Sequence, residues 1–197
     1  MTTKYKLAGL FLLLLIIWSA PLVLAEPLPA LRLTEIYYDT PGDDAAEEWI
    51  EIANLSTAVI DLTDISVGDE EQAGGGEGMA RFPAGASLAP GEVIVVAQTA
   101  VGFRALFGQN PDYEMQDSDT AVADMRVQPL WAGGDVALAN DGDEVLLLQG
   151  FAIVDAINYE ESTTFFTPSI AAVYRGHSIA RVPAACDGDT AADWQPQ

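Results

Sequence analysis

Three kinds of residue in this sequence could do chemistry: one histidine, one cysteine and many clustered carboxylates. His177 is the only histidine. A Ser or Cys nucleophile ordinarily works with a His base, so any such centre would have to be built on His177. Its neighbours Arg175, Gly176 and Ser178 read as a turn entering a strand, which suits an edge histidine better than a general base. Zinc sites made from His and Cys are excluded by count, since Cys186 stands alone. Gly74-Gly75-Gly76 lacks the Lys that a phosphate-cradling loop requires.

Calcium is the chemical candidate that remains, because a hard cation takes several oxygens converging from a turn. Asp187, Asp189 and Asp193 place three carboxylates within seven residues and make the favoured metal site. Asp39, Asp43 and Asp44 form a second cluster, and Asp117 with Asp119 a third. None completes the EF-hand pattern. Glu47, Glu48 and Glu51 flank Trp49; on a strand, Glu47 and Glu51 share its face and Glu48 takes the other. Paired carboxylates can hydrolyse glycosides; the competing expectation is a structural strand whose Trp fills the core.

The elements that must position these groups are short β-type runs between turn signals. Leu31–Tyr38, Glu48–Ala53, Val59–Leu62 with Ile65–Val67, Val93–Ala97, Phe151–Tyr159 and a closing Ser178–Val182 all read as strands. Ala89-Pro90-Gly91-Glu92 is a tight turn, with Gly91 at the corner that needs positive φ. Asp141-Gly142 reads as the turn of a hairpin joining Val136–Ala139 to Glu144–Leu148. One short helix is predicted over Ala100–Phe107, capped by Thr99 and stopped by Gly108, with Phe103, Leu106 and Phe107 on one face. Asp69–Gly78 is a Gly/Glu-rich loop. Val93–Ala97 and Val145–Leu148 are apolar on both faces, so their outer faces must be covered. The long 109–134 segment, which carries Tyr113, Met115, Met125, Leu130 and Trp131, is the expected cover. The fold class expected is all-β, an antiparallel sandwich with one short helix.

Charge narrows the partners. The chain carries 30 acids against 8 bases, a net charge of −22. Lys4 and Lys6 precede an uncharged apolar run from Leu7 to Trp18, and Val23-Leu24-Ala25 supplies a cleavage site before Glu26. Residues 1–25 are therefore expected to be a signal peptide, and 26–197 one domain with its core over 31–182. That domain holds six arginines and all 30 acids, a net charge of −24. Such a field repels phosphate backbones and anionic lipid, so neither nucleic acid nor a membrane surface is an expected partner. No membrane insertion is expected after cleavage. With one cysteine no internal disulfide can form, and the domain must rely on its core.

Four segments carry a resemblance. They are Leu33–Asp39 with Glu48–Asn54; Val59–Ile65; Leu88–Val96; and Leu138–Leu148 with Val154–Tyr159. In this order, around Glu48-Trp49-Ile50-Glu51, they resemble the lamin-tail domain, an immunoglobulin-like fold found in nuclear lamins and many exported bacterial proteins. Ser178–Arg181 is similar to the family's closing segment. Asp64-Ile65 stands where the family usually has Gly and an aromatic, and the 109–134 stretch is long for it. The resemblance implies structural roles for Trp49, Glu48, Glu51, Asn54, Gly91 and Gly142, and no catalytic residue or cofactor. It implies a secreted or extracytoplasmic, non-catalytic interaction or structural module with a protein or cell-envelope partner. The alternatives are a calcium-stabilised cell-surface scaffold and a metal-assisted hydrolase.

Overall fold

The computed structural model describes Met1 and residues 30–197. The leader expected over residues 1–25 lies, Met1 aside, outside the described residues. In chain order the elements are β1 (Leu31–Tyr37), α1 (Asp44–Glu47), β2 (Trp49–Asn54), β3 (Ile60–Asp61), β4 (Ile65–Gly68), β5 (Met79–Arg81), β6 (Ser87–Leu88) and β7 (Val93–Ala97). Then come α2 (Ala100–Phe107), β8 (Tyr113–Glu114), β9 (Ala123–Asp124), β10 (Arg126–Val127), β11 (Gly142–Gln149), β12 (Ala152–Glu160), β13 (Ile179–Arg181), a 3-10 turn (Ala191–Asp193) and β14 (Trp194–Pro196).

Two sheets face each other, in the orders β14-β13-β1-β2-β7-β8-β9 and β10-β5-β4-β11-β12, with a small β3-β6 ribbon beside them. The strand pairs are antiparallel except β7-β8 and β8-β9, which run parallel. Alternation decides what enters the interior: Leu31, Leu33 and Ile36 from β1, Ile50 and Ile52 from β2, Ile94 and Val96 from β7, and Val145 and Leu147 from β11 form one buried cluster. This is a β-sandwich, as the strand pattern predicts, of the immunoglobulin-like kind that the family resemblance implies.

Trp49 corrects the expected core. It is buried, but on the opposite face of β2, in a separate cluster with Tyr37, Ala97 and Phe103. The reason is parity: Trp49 shares its face of β2 with Glu51, while Ile50 and Ile52 take the inward one. Tyr37 stacks on Trp49 with ring centroids 5.7 Å apart, and Phe103 meets it edge-on at 6.1 Å. Phe103 belongs to α2, so the helix covers the outer face of β7. Thr99 Oγ1 accepts a hydrogen bond from Gly102 N at 2.9 Å, and Gly108 ends the helix at φ 74°, as the caps predict. A second helix, α1, was not expected. It is a single turn in which the amides of Ala46 and Glu47 both donate to Asp43 O.

The 109–134 segment covers the other outer face. Trp131 and Ala132 pack with Met79, Leu146 and Leu148, and Trp131 Nε1 donates to Glu70 O at 2.8 Å. The same segment contributes β8 and β9 to one sheet and β10 to the other, passing between them at the buried Met125. Two further expectations fail. Asp141-Gly142 closes no hairpin, since β11 begins at Gly142 and turns into β12 through Gly150-Phe151. Ser178–Val182 does not end the sheet; β14 pairs beyond it through Arg181↔Trp194.

Candidate functional site

Val136–Ala139 looks like a strand in sequence but forms no ladder, because its backbone groups are bonded by side chains. Ala137 N donates to Asp69 Oδ2 at 2.7 Å, Leu138 N to Glu48 Oε2 at 3.2 Å and Ala139 N to Asp143 Oδ2 at 2.8 Å. Val136 O accepts from Gln98 Nε2 at 2.7 Å and Ala139 O from the Tyr159 hydroxyl at 3.0 Å. Five side chains, Asp143 from four residues on and the other four from 20 to 90 residues away, thus replace a neighbouring strand and satisfy backbone groups that burial would otherwise orphan. Glu48, Asp69, Asp143, Gln98 and Tyr159 are all buried.

Three of these buried side chains are acids whose titration the fold raises. Burial away from water pushes the Glu48 carboxyl up to about 8, against the lowering effect of Leu138 N and Gln98, with the charges of Asp44 and Asp143 adding to the rise. Asp143 is pushed up to about 7 for the same first reason, and Asp69 is raised by burial despite the amides of Ala137 and Gly78. A carboxyl that titrates near neutrality can serve as a general acid or base when substrate reaches it. Here Glu48 Oε2 is engaged by Leu138 N and Gln98 Nε2, and the space beside it is about 10 Å³, room for one water at most. The arrangement braces a segment and offers no approach to a substrate.

Asp155 and Arg181 make a second buried polar pair, which the sequence reading did not single out. Arg181 Nη2 donates to both Asp155 oxygens at 2.8 and 2.7 Å, and the side chains are 2% and 1% exposed. Arg181 Nε donates to Leu33 O and Leu33 N donates back to Asp155 Oδ2, so the pair ties β12 of one sheet to β1 and β13 of the other. The signal was present: Asp155 interrupts the apolar run Ala152–Ile157, and Arg181 follows Ile179 and Ala180.

Of the residues given structural roles, Asn54 is fully buried and fully bonded. Its Nδ2 donates to Ala58 O and Leu88 O, and its Oδ1 accepts from Ser56 N. Glu51 accepts from Thr34 Oγ1 at 2.6 Å. Gly91 takes φ 72° and Gly142 φ 135°. Trp49 Nε1 is buried without a partner among the described residues.

The acidic clusters are dispersed. Asp187 pairs with Arg32 and lies 3.9 Å from Arg181, Asp193 Oδ2 accepts from Gly188 N at 2.8 Å, and Asp189 is exposed at φ 50°. Asp39 pairs with Arg175 at 3.5 Å, and Asp44 accepts from Thr40 and Asn140. Among the described residues, carboxylates converge within 4.8 Å at Glu70–Glu71–Glu77 and at Glu114–Asp117–Asp124, and neither group contains Asp187, Asp189 or Asp193. His177 is exposed, its Nδ1 2.7 Å from Gln197 O, on a groove of about 610 Å³ that it shares with Val173, Tyr174 and Pro196. No helix among the described residues is long and apolar enough to cross a membrane.

Comparison with known proteins agrees with this architecture. A crystal structure of a DUF4876 family protein from Bacteroides thetaiotaomicron VPI-5482 superposes with a TM-score of 0.58 at 16% identity. The match covers 78% of this chain and 62% of that one, and at such identity the likeness is one of fold. No curated protein matches the chain. The Lamin Tail Domain family matches residues 25–160, reaching the end of β12. With the sandwich, the Glu-Trp-Ile-Glu strand and more than half the sequence accounted for, the chain belongs to the lamin tail domain family.

Proposed function

We propose that this chain is an exported, non-catalytic interaction or structural module that presents its surface to a protein or cell-envelope partner. One observation carries the reading. Three buried acids whose titration is raised by burial, Glu48, Asp69 and Asp143, are each bonded to a backbone amide of one braced segment. Groups that an acid–base enzyme would aim at substrate are here part of the frame. The leader-like start and the charge of −24 after it support export to a place where the protein must stay soluble.

The test has two arms. The cell is fractionated, and the envelope fraction is crosslinked through a photoreactive side chain at Tyr174, which is 86% exposed. A stoichiometric adduct that survives washing is the expected result. Purified protein is also assayed against glycoside, ester and phosphoester substrates with divalent cations. Turnover that disappears in Glu48→Gln or Glu51→Gln would overturn the non-catalytic reading.

A calcium-stabilised scaffold is the second reading, favoured by the convergence of Glu70, Glu71 and Glu77 around the 70–77 loop. Melting with calcium and with chelator decides it, because a cation bound only by the folded state raises the midpoint. Identical midpoints remove the idea.

A further inference from the structure

The buried acids of this fold differ in what neutralises them. Asp155 is compensated by Arg181, whose Nη2 donates to both its oxygens. Glu48 and Asp143 have no such partner, and neither forms an ion pair with any described residue. The charged groups that face Glu48 are Asp44 from α1 and Asp143 from β11. Those that face Asp143 are Asp69, just after β4, and Glu77, just before β5. All are acids. The Tyr159 hydroxyl of β12 is the other titratable neighbour, pushed up by burial and then by Asp143 and Glu48.

What these acids hold is held by little else. Val136–Ala139 makes no backbone–backbone hydrogen bond to any described residue. Such bonds flank it instead, from Gly134 N to Glu77 O on one side and from Glu161 N to Asp141 O on the other. Gly133-Gly134 precedes it and Gly142 follows, so glycine stands at both ends to absorb a change of backbone direction. Val136 and Leu138 are buried in the core, yet the packing beside them is incomplete. A cavity of about 40 Å³ lies against Val136, Gln98, Met115 and Met125, and the space of about 10 Å³ lies against Val136, Leu138 and Glu48. Together they give water a place to enter beside Glu48 once the segment moves.

We infer that Val136–Ala139 is a latch operated by protons: it stays shut while Glu48 and Asp143 keep theirs, and it comes away from the core when they ionise, with the sandwich still folded. Both carboxyls are raised, to about 8 and about 7, because burial without a cation penalises their charged forms. Opening returns each to the ordinary carboxylate range. The open state therefore binds fewer protons and gains as pH rises. Each group contributes up to about tenfold per pH unit between its two values, so with both acting the opening constant climbs on the order of a thousandfold from pH 5 to pH 7. An open latch frees the amides of Ala137, Leu138 and Ala139 and the side chains of Val136 and Leu138. That is an alternating segment able to pair with a partner's strand.

The test is amide hydrogen exchange of the full chain, followed by NMR from pH 5 to pH 7. Each rate is divided by the intrinsic rate at that pH to give an opening constant. The amides of Ala137, Leu138 and Ala139 should open more readily than those of β2, with an opening constant that climbs with pH as above. Leu33 N, held by the compensated Asp155, should open only with β2. Glu48→Gln and Asp143→Asn should each leave a rise of about fiftyfold, and the double variant should lose most of it. Opening constants for the three amides equal to those of β2 at every pH overturn the latch, since global unfolding alone then frees them. A rise that survives unchanged in the double variant overturns it too, as does Leu33 N opening in step with the three.

Discussion

Glu48 makes the stability of this protein fall as pH rises, and Glu48→Gln should remove much of that dependence. The folded carboxyl titrates at about 8 against a reference of 4.5. Its pKa is raised on folding, so the folded chain keeps a proton that the unfolded chain has already released. The contribution is therefore fully present below pH 4.5 and is lost as pH climbs toward 8. Across that window the loss is about 4 kcal/mol, at roughly 1.4 kcal/mol per pH unit through the middle. Asp143 and Asp69 are shifted in the same direction and steepen the decline, as does the mutual repulsion of 30 acids. Glutamine is the same size, cannot ionise, and still offers an oxygen to Leu138 N. Urea unfolding of both proteins from pH 4.5 to 8 isolates the Glu48 share as the difference in slope. At pH 4.5 the two should be equal within about 1 kcal/mol, and at pH 8 the variant should be the more stable by roughly 2–4 kcal/mol. If Glu48→Gln is instead less stable at pH 8, the buried carboxylate is held ionised by its donors and desolvation does not win.

Other consequences follow from the same contacts. Arg181→Met leaves Asp155 buried and uncompensated, and should cost about 3–5 kcal/mol in denaturant unfolding, while adding Asp155→Leu should recover part of that loss. Gly142→Ala places a Cβ 2.5 Å from Glu161 N at φ 135°, and should destabilise by about 1–3 kcal/mol or more. Asn54→Ala removes the side-chain donor to the buried Leu88 O and should cost about 1–3 kcal/mol in the same assay.

What could be read from sequence was what local physics decides. The α2 caps depend on Thr99 and Gly108 alone, and both act as expected. The Pro90-Gly91 turn needs only a fixed φ and a positive one, and Glu92 N donates to Ala89 O at 3.0 Å. The faces of β2 were legible too, but the better-filled one was misjudged. Trp49 is the largest apolar residue on the strand, yet its neighbours at spacing two are Glu47 and Glu51, whereas Ile50 and Ile52 form an unbroken apolar pair. Size drew attention where periodicity should have decided. The covering of both outer faces was correctly required by the doubly apolar strands. Its division between α2 and the 109–134 segment was not, because that depends on which sheet each element reaches.

The candidate site was far less legible, and the 136–139 segment shows why. Its alternation and the Asp-Gly that follows satisfy every short-range hairpin criterion. Its fate was decided by residues at separations of 90 for Glu48 and 68 for Asp69, whose carboxylates claim the amides a strand partner would have used. A buried carboxylate reaching an amide has no period and leaves no pattern in sequence. What does leave a trace is the cost of burying it: a charged residue in line with apolar ones on an inward face must have a partner elsewhere. Glu48 precedes Ile50 and Ile52 on that face, Asp155 interrupts an apolar strand, and Arg181 follows Ile179 and Ala180. Each is a charge in the wrong place by alternation, and each is buried and bonded in the fold. In so acidic a chain the exposed clusters draw attention first, yet the isolated inward charges brace the fold: Asp155 with Arg181 joins the two sheets, and Glu48 holds the 136–139 segment.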